Sequence, residues 1–224
     1  MNDELGKRIQ VYFAENTDTY LLSIQQHLIV SAVALLIASV IGIIGAFFCL
    51  KYVKQEKWIT GLFQILRIVP SLAVLLLLLP LMGAGLRPAL TALVILAVPS
   101  ILLNTIAGLR NVSSGLLEAA YGMGMTESQA LWKVQVPLAM PLILTGVKTA
   151  IIEIVASATL ASKIGAGGLG DLIFTGLGLN RFDLLLIGGL SVALIAVAAN
   201  LILDLTERNL VINKFKNEKR GFQG

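Results

Sequence analysis

Long charge-free apolar runs alternate with short polar stretches along the 224 residues, and that alternation predicts membrane-crossing helices. About 20 helical residues cross about 30 Å of hydrocarbon, so a run of roughly 18 or more without charge is a candidate span. Residues 28–50 give 23 such positions, 88–109 give 22, 184–203 give 20 and 68–86 give 19. The 68–86 span is expected to start near Trp58 and to carry Arg67 inside it. Residues 136–160 are interrupted by Lys148 and Glu153, yet the apolar stretches 138–147 and 154–161 are together long enough to cross. The pattern predicts an all-α integral membrane protein with five transmembrane helices. Residues 1–27 would lead into the first span, 28–205 would form the transmembrane domain, and 206–224 would be a basic tail.

Composition supports this division. Hydrophobic residues make up 57% and charged ones 13%, far from the balance of a soluble domain. The first 20 residues are polar and lack the apolar core and small-residue site of a cleavable leader. Residues 17–27 have helical potential, with Thr17 or Asp18 as the expected N-cap.

Charge placement then sets an orientation. Segments 1–27, 83–87 and 162–183 carry five Lys and Arg; segments 51–57, 110–135 and 206–224 carry ten. Cytoplasmic loops are the basic ones, which predicts the N-terminus outside and the C-terminus inside. The net charge of +4 is thus a topology signal rather than a nucleic-acid footprint, and no nucleic-acid partner is expected. The cluster at 214–220 is read as an ordinary positive-inside tail with anionic lipid as its alternative contact.

Several chemistries are missing. No G-x-x-x-x-G-K-[ST] occurs, so the chain has no phosphate-cradling loop for ATP and is not expected to be an enzyme. Residues 165–170, GAGGLG, satisfy G-x-G-x-x-G, but that fingerprint requires a βαβ unit and here lies between two spans. Close backbone packing is the better reading. Cys49 and His27 are each the only residue of their type, which leaves no disulfide and no expected metal site; His27 reads as an interfacial residue.

The polar stretch 113–137 reads as a bent pair of short helices at the cytoplasmic face. Ser113 or Ser114 can cap the first, through Leu116, Leu117 and Glu118-Ala119-Ala120. The two alanines would leave a low-relief surface that a partner could approach closely. Gly122 and Gly124 weaken the helix, and Gly124 suits a left-handed C-terminal turn. Thr126 with Gln129 reads as a capping box that starts a second short helix, which Pro137 would end. The plain alternative is an amphipathic connector lying on lipid, but the stretch has few basic residues and two acidic ones, poor chemistry for anionic headgroups.

The spacing within 118–137 (EAA, three residues, Gly, nine residues, then Val-Gln-Val-Pro) resembles the EAA loop of bacterial ABC importer permeases. Further segments resemble the osmoprotectant branch, which carries glycine betaine, carnitine, choline or related quaternary amines. These are PSLA at 70–73, GAG at 83–85, PLA at 137–139, ATLA at 158–161 and IGAGGLGD at 164–171. Residues 164–170 are shared more loosely with methionine-type permeases. The resemblance implies the type I importer fold, a bacterial cytoplasmic-membrane location and alternating access. It also implies a second, identical or paralogous permease subunit, an extracytoplasmic substrate-binding protein, and ATP-binding subunits that hold ATP and Mg, with no cofactor in this chain. Coupling to the ATPase would fall to Glu118, Ala119, Ala120, Gly122, Gly124, Thr126 and Pro137.

The translocation pathway is expected among the unusual residues of the spans: Arg67, Pro70, Asn104, Glu153 and Ser157. Arg67 and Glu153 both reach roughly mid-depth and are expected to face the protein interior, either paired across two helices or satisfied separately. Lys148 lies about 140° around the helix from Glu153 and is expected to snorkel to the cytoplasmic interface. Only 6% of the chain is aromatic, so firm recognition of a methylated cation through aromatic faces belongs in the binding protein. Two alternatives stay open: the same machine carrying methionine or a bile-type compound, or an ion-coupled secondary transporter supported only by Arg67, Glu153 and Lys148. Secondary transporters often contain an inverted second half, which five spans of this pattern do not provide.

Overall fold

In a computed structural model the chain is described over residues 2–51 and 53–221, with side chains described over 4–51 and 57–208. The side chains of the basic cluster 214–220 and residues 222–224 therefore lie outside the described part. The described residues are helical throughout apart from short turns, with no strand among them. The helices are α1 (Asn2–Lys51), α2 (Val53–Leu66), α3 (Ser71–Met82), α4 (Leu86–Arg110), α5 (Ser114–Gly122), α6 (Glu127–Ala130), α7 (Val136–Ala161), α8 (Leu169–Gly178) and α9 (Phe182–Gly221). Four are long and apolar enough to cross a membrane, and the bent pair α2–α3 makes a fifth crossing if it counts as one.

α4 sits at the centre. Leu93, Ala97 and Ile101 on α4 meet Ala34 and Ala38 of α1 and Ala150, Ile154 and Ala158 of α7. Every one of these residues is essentially inaccessible. Alanine and glycine at the crossings let the backbones approach closely, the packing device of helices that have no hydrophobic force driving them together in lipid. A Cβ on Gly42 of α1, for instance, would lie 2.9 Å from the Cβ of Ile101. The outer helices leave large aliphatic side chains uncovered, including Leu36, Leu81 and Leu194, as a lipid-facing surface requires.

The N-terminus departs from expectation. Helix begins at Asn2 rather than at Thr17, with a break at Asn16 (φ −127°, ψ 19°), and the Thr17 hydroxyl donates back to the Phe13 carbonyl instead of capping. Tertiary packing explains the early start: Tyr12 and Ile9 lie on Leu184 and Ile187 of α9. Tyr12, Phe13 and Tyr20 stack edge to face, and the Tyr20 hydroxyl hydrogen-bonds that of Ser191 at 2.7 Å.

The second crossing is not a straight helix with Arg67 inside it. Lys57–Leu66 and Ser71–Met82 are bent by 94°, and residues 67–70 form the turn. Pro70 has no N–H to donate and biases Val69 away from helical geometry, which stops α2 and lets α3 restart.

The glycine-rich segment 165–170 is a packing seam, as its context suggests. Gly165, Gly167 and Gly168 have φ of +86°, +73° and +90°. The Gly168 N–H donates to Gln26 Oε1 at 3.0 Å, and a Cβ on Gly170 would lie 2.1 Å from the Thr159 carbonyl oxygen. His27 is buried within the protein under this turn, and its Nε2 lies 3.2 Å from the Val155 carbonyl. Beyond α8, Arg181 and the buried Asp183 pair at the start of α9, and the carboxylate holds the guanidinium above its ordinary range.

Candidate coupling loop and intramembrane polar cluster

The loop 113–137 folds as a knuckle whose parts follow from local chemistry. Ser113 stands at the N-cap of α5, but it caps through its carbonyl, which accepts from Leu116 and Leu117, and not through its hydroxyl. At the other end, Met125 N–H bonds the Ala120 carbonyl and Gly124 N–H bonds that of Tyr121. With φ of +81° at Gly124, this is the left-handed closure expected there. Thr126 and Gln129 form the reciprocal capping box: Gln129 N–H donates to Thr126 Oγ1 at 3.3 Å and Thr126 N–H to Gln129 Oε1 at 2.9 Å.

The second arm differs from the expected short helix ended by Pro137. α6 continues through a wider π-type turn, Leu131–Gln135, directly into α7. Val136 N–H reaches the Leu131 carbonyl five residues back, and Pro137, which has no N–H to donate, directly follows this widened turn. Pro137 therefore joins the arm to the span. A 38-residue helical rod, Glu127–Ile164, leads from the bend through the membrane.

Internal contacts fix the knuckle. Gln135 Nε2 donates to the Leu109 carbonyl at 2.8 Å at the end of α4, and Trp132 lies 5.4 Å, centroid to centroid, from Phe47 of α1. Ala130 and Ala120 are each 1% exposed. Burial of Ala120 corrects the expectation that both alanines offer a flat surface to a partner: Ala119 faces outward, with Glu118, Gly122, Gly124 and Thr126. The sequence reading also missed the apolar tips beside them, Leu116, Tyr121 and Met123, the last 72% exposed. Their position flanking the EAA run and its glycines was the available signal.

The structure brings three of the five proposed pathway residues together. Arg67 Nη2 lies 3.7 Å from Glu153 Oε1, so the two charges pair between the α2–α3 turn and α7. The other Glu153 oxygen accepts from Ser100 Oγ of α4 at 2.7 Å, and Asn104 Nδ2 donates to the Ser100 carbonyl at 2.7 Å. Ser100 was not singled out in the sequence, although it lies one helical turn before Asn104. Ser157 is buried one turn beyond Glu153 on α7, and Pro70 stands at the N-cap of α3. The ion pair is not sealed in the interior: its side chains are 42% and 35% exposed, on a face this chain leaves open.

Lys148 takes no part in the cluster and does not snorkel free. It pairs with Asp204 and Glu207 of α9, and Asn200 Nδ2 donates to Asp204 at 3.2 Å. The carboxylates that hold it come from some 56 residues further along the chain, beyond the reach of local sequence reading.

These features define a helical membrane component whose sequence has no phosphate-cradling loop and whose spans are joined by a structured loop. Residues 38–211 match the binding-protein-dependent transport system inner membrane components, and the chain belongs to that family. It is a non-enzymatic permease subunit of an ABC importer, in which ATP hydrolysis lies in a separate subunit. It is 36% identical over 213 residues to the carnitine transport permease OpuCB of Listeria monocytogenes, covering 95% of this chain and 98% of that protein. Identity to the glycine betaine/carnitine/choline transport permease OpuCB of Bacillus subtilis is 34%, covering 91% and 94%. The fold matches the inward-facing MetNI methionine ABC transporter with a TM-score of 0.76 at 23% identity, covering 88% of this chain and 98% of that one.

Proposed function

We propose that this permease carries quaternary-amine osmoprotectants, glycine betaine, carnitine and choline, across the cytoplasmic membrane, and that the knuckle 113–137 couples the pathway to ATP hydrolysis. The observation that supports coupling most directly is the unbroken helix from Glu127 through Pro137 into the span. A displacement of the bend is transmitted along a rod and not lost in a flexible loop. Glu118, Ala119, Gly122, Gly124 and Thr126 form the outward surface, and Ala120 and Pro137 hold it in shape. The cargo class follows from the names borne by the relatives. The partners are ATP-binding subunits carrying ATP and Mg, a second permease subunit, and an extracytoplasmic binding protein. The N-terminus lies outside and the C-terminus inside, so that the knuckle meets the ATPase.

Arg67, Pro70, Asn104 and Glu153 line the route on the open face, where the second permease subunit closes it, with the buried Ser157 one helical turn beyond Glu153. Reconstitution with the ATP-binding subunits and binding protein should give glycine betaine uptake into proteoliposomes only with ATP on the knuckle side. Uptake that persists without any ATP-binding subunit would overturn the reading.

A further inference from the structure

Arg67 and Glu153 are held in different ways. Glu153 is fixed, since it stands within α7 and one oxygen is bound at 2.7 Å by Ser100, whose side chain is fully buried. Arg67 lies outside any helix, in the turn between two helices bent by 94°. Its guanidinium stands 3.7 Å from the carboxylate, longer than the roughly 2.7–2.9 Å of a close charge-assisted hydrogen bond. Both groups are partly open, beside the exposed aliphatic side chains of Ile68 and Ile152. The other span-borne cation with a described partner, Lys148, is already taken by Asp204 and Glu207.

A charge among apolar spans is costly unless paired, so whatever opens this pair must supply a partner to both members. A molecule carrying both signs does so. A simple cation satisfies Glu153 and leaves Arg67 unpaired.

We propose that Arg67 and Glu153 form a transient subsite for zwitterions, small molecules bearing a cationic amine and a carboxylate. The amine takes the place of the guanidinium beside the pinned Glu153. The displaced Arg67 receives the carboxylate through its planar fork of donors, a geometry lysine lacks. Net charge at the site stays zero whether it is empty or occupied. Ser100 is a positioning residue that acts through Glu153, and Asn104 braces the Ser100 backbone. The inference rests on the permease reading above and refines its cargo: zwitterionic quaternary amines pass this point more readily than choline.

The test is uptake of glycine betaine and of choline by the reconstituted complex with one binding protein throughout. That protein is then the same in every comparison, and only the permease changes. Arg67→Gln should lower glycine betaine uptake relative to choline by about tenfold, the loss of one charged hydrogen bond. Glu153→Gln should lower both. The double exchange Arg67→Glu with Glu153→Arg separates this from a purely structural ion pair. It keeps the opposite charges but faces Ser100 with a cation, so the complex should co-purify intact while glycine betaine uptake stays lost. Equal loss of both substrates in Arg67→Gln, or recovery of wild-type uptake in the exchange, overturns the subsite. Failure of the wild-type complex to import either amine would instead overturn the cargo reading.

Discussion

Gly146 of α7 lies against Asn104 of α4 so closely that a Cβ at 146 would come 2.8 Å from the Asn104 Cβ and 3.0 Å from the Ser100 carbonyl oxygen. Two of those neighbours belong to the polar cluster, since Asn104 bonds the Ser100 carbonyl and Ser100 bonds Glu153. Gly146→Ala should therefore act twice. Forcing a methyl group into this crossing costs about 1–3 kcal/mol, which should lower the melting temperature in detergent. It should also reduce uptake, because Ser100 and with it Glu153 must shift. Gly189→Ala is the control, since no atom lies within 4 Å of a Cβ at that position. Equal melting temperatures for the two variants would refute the tight crossing.

The Lys148 cluster predicts an asymmetry. One cation serves two carboxylates, so removing it leaves Asp204 and Glu207 facing each other without compensation. Removing either acid leaves a one-to-one pair. Lys148→Met should destabilise by about 1–2 kcal/mol, because it strands two like charges of which Glu207 is only 26% exposed. Asp204 is 44% exposed, so Asp204→Asn should cost only about 0–1 kcal/mol, in the range of exposed pairs. Thermal unfolding of both variants in detergent tests this, and a larger loss for Asp204→Asn would contradict it.

The parts of the fold that were legible in the sequence are those set locally or by lipid. The apolar runs marked the crossings because a span in hydrocarbon needs no internal pattern, only length. The Thr126 capping box and the Gly124 turn were legible because each is closed by hydrogen bonds between neighbours in the chain. What escaped depended on partners distant in sequence. The polar composition of residues 2–20 concealed a helix held by Leu184 and Ile187. The bend at 67–70 has a local sign in Pro70, but its angle depends on α2 and α3 packing on different neighbours: Ile59 joins Cys49 and Ile106, whereas Val74 and Leu75 meet Ala89 and Ala92. The sequence gives no sign of the fold that covers Ala120. The charges of the polar cluster stand out as oddities in apolar runs, whereas the role of Ser100 depends on the crossing of α4 and α7, which brings it to Glu153 from 53 residues away in the chain.

Gly122 offers a cleaner test of the knuckle than Gly124. Substituting Gly124 strains this chain by itself, because its φ of +81° costs an L-residue about 1–2 kcal/mol. Loss of uptake there would mix misfolding with loss of docking. Gly122 has helical geometry at the end of α5, is exposed, and has nothing within 4 Å of a Cβ. A leucine fits at 122 without disturbing the chain, and a surface change of this kind usually moves stability by no more than about 0.5 kcal/mol. Any larger consequence must come from what docks against residue 122. Gly122→Leu should keep the wild-type melting temperature of the isolated permease. It should also weaken co-purification with the ATP-binding subunit and cut ATP-driven uptake about tenfold, the effect of some 1.4 kcal/mol at the interface. If Gly122→Leu retains full uptake and full substrate-stimulated ATP hydrolysis, the partner does not pack closely on this bend, and coupling must run through another surface of the chain.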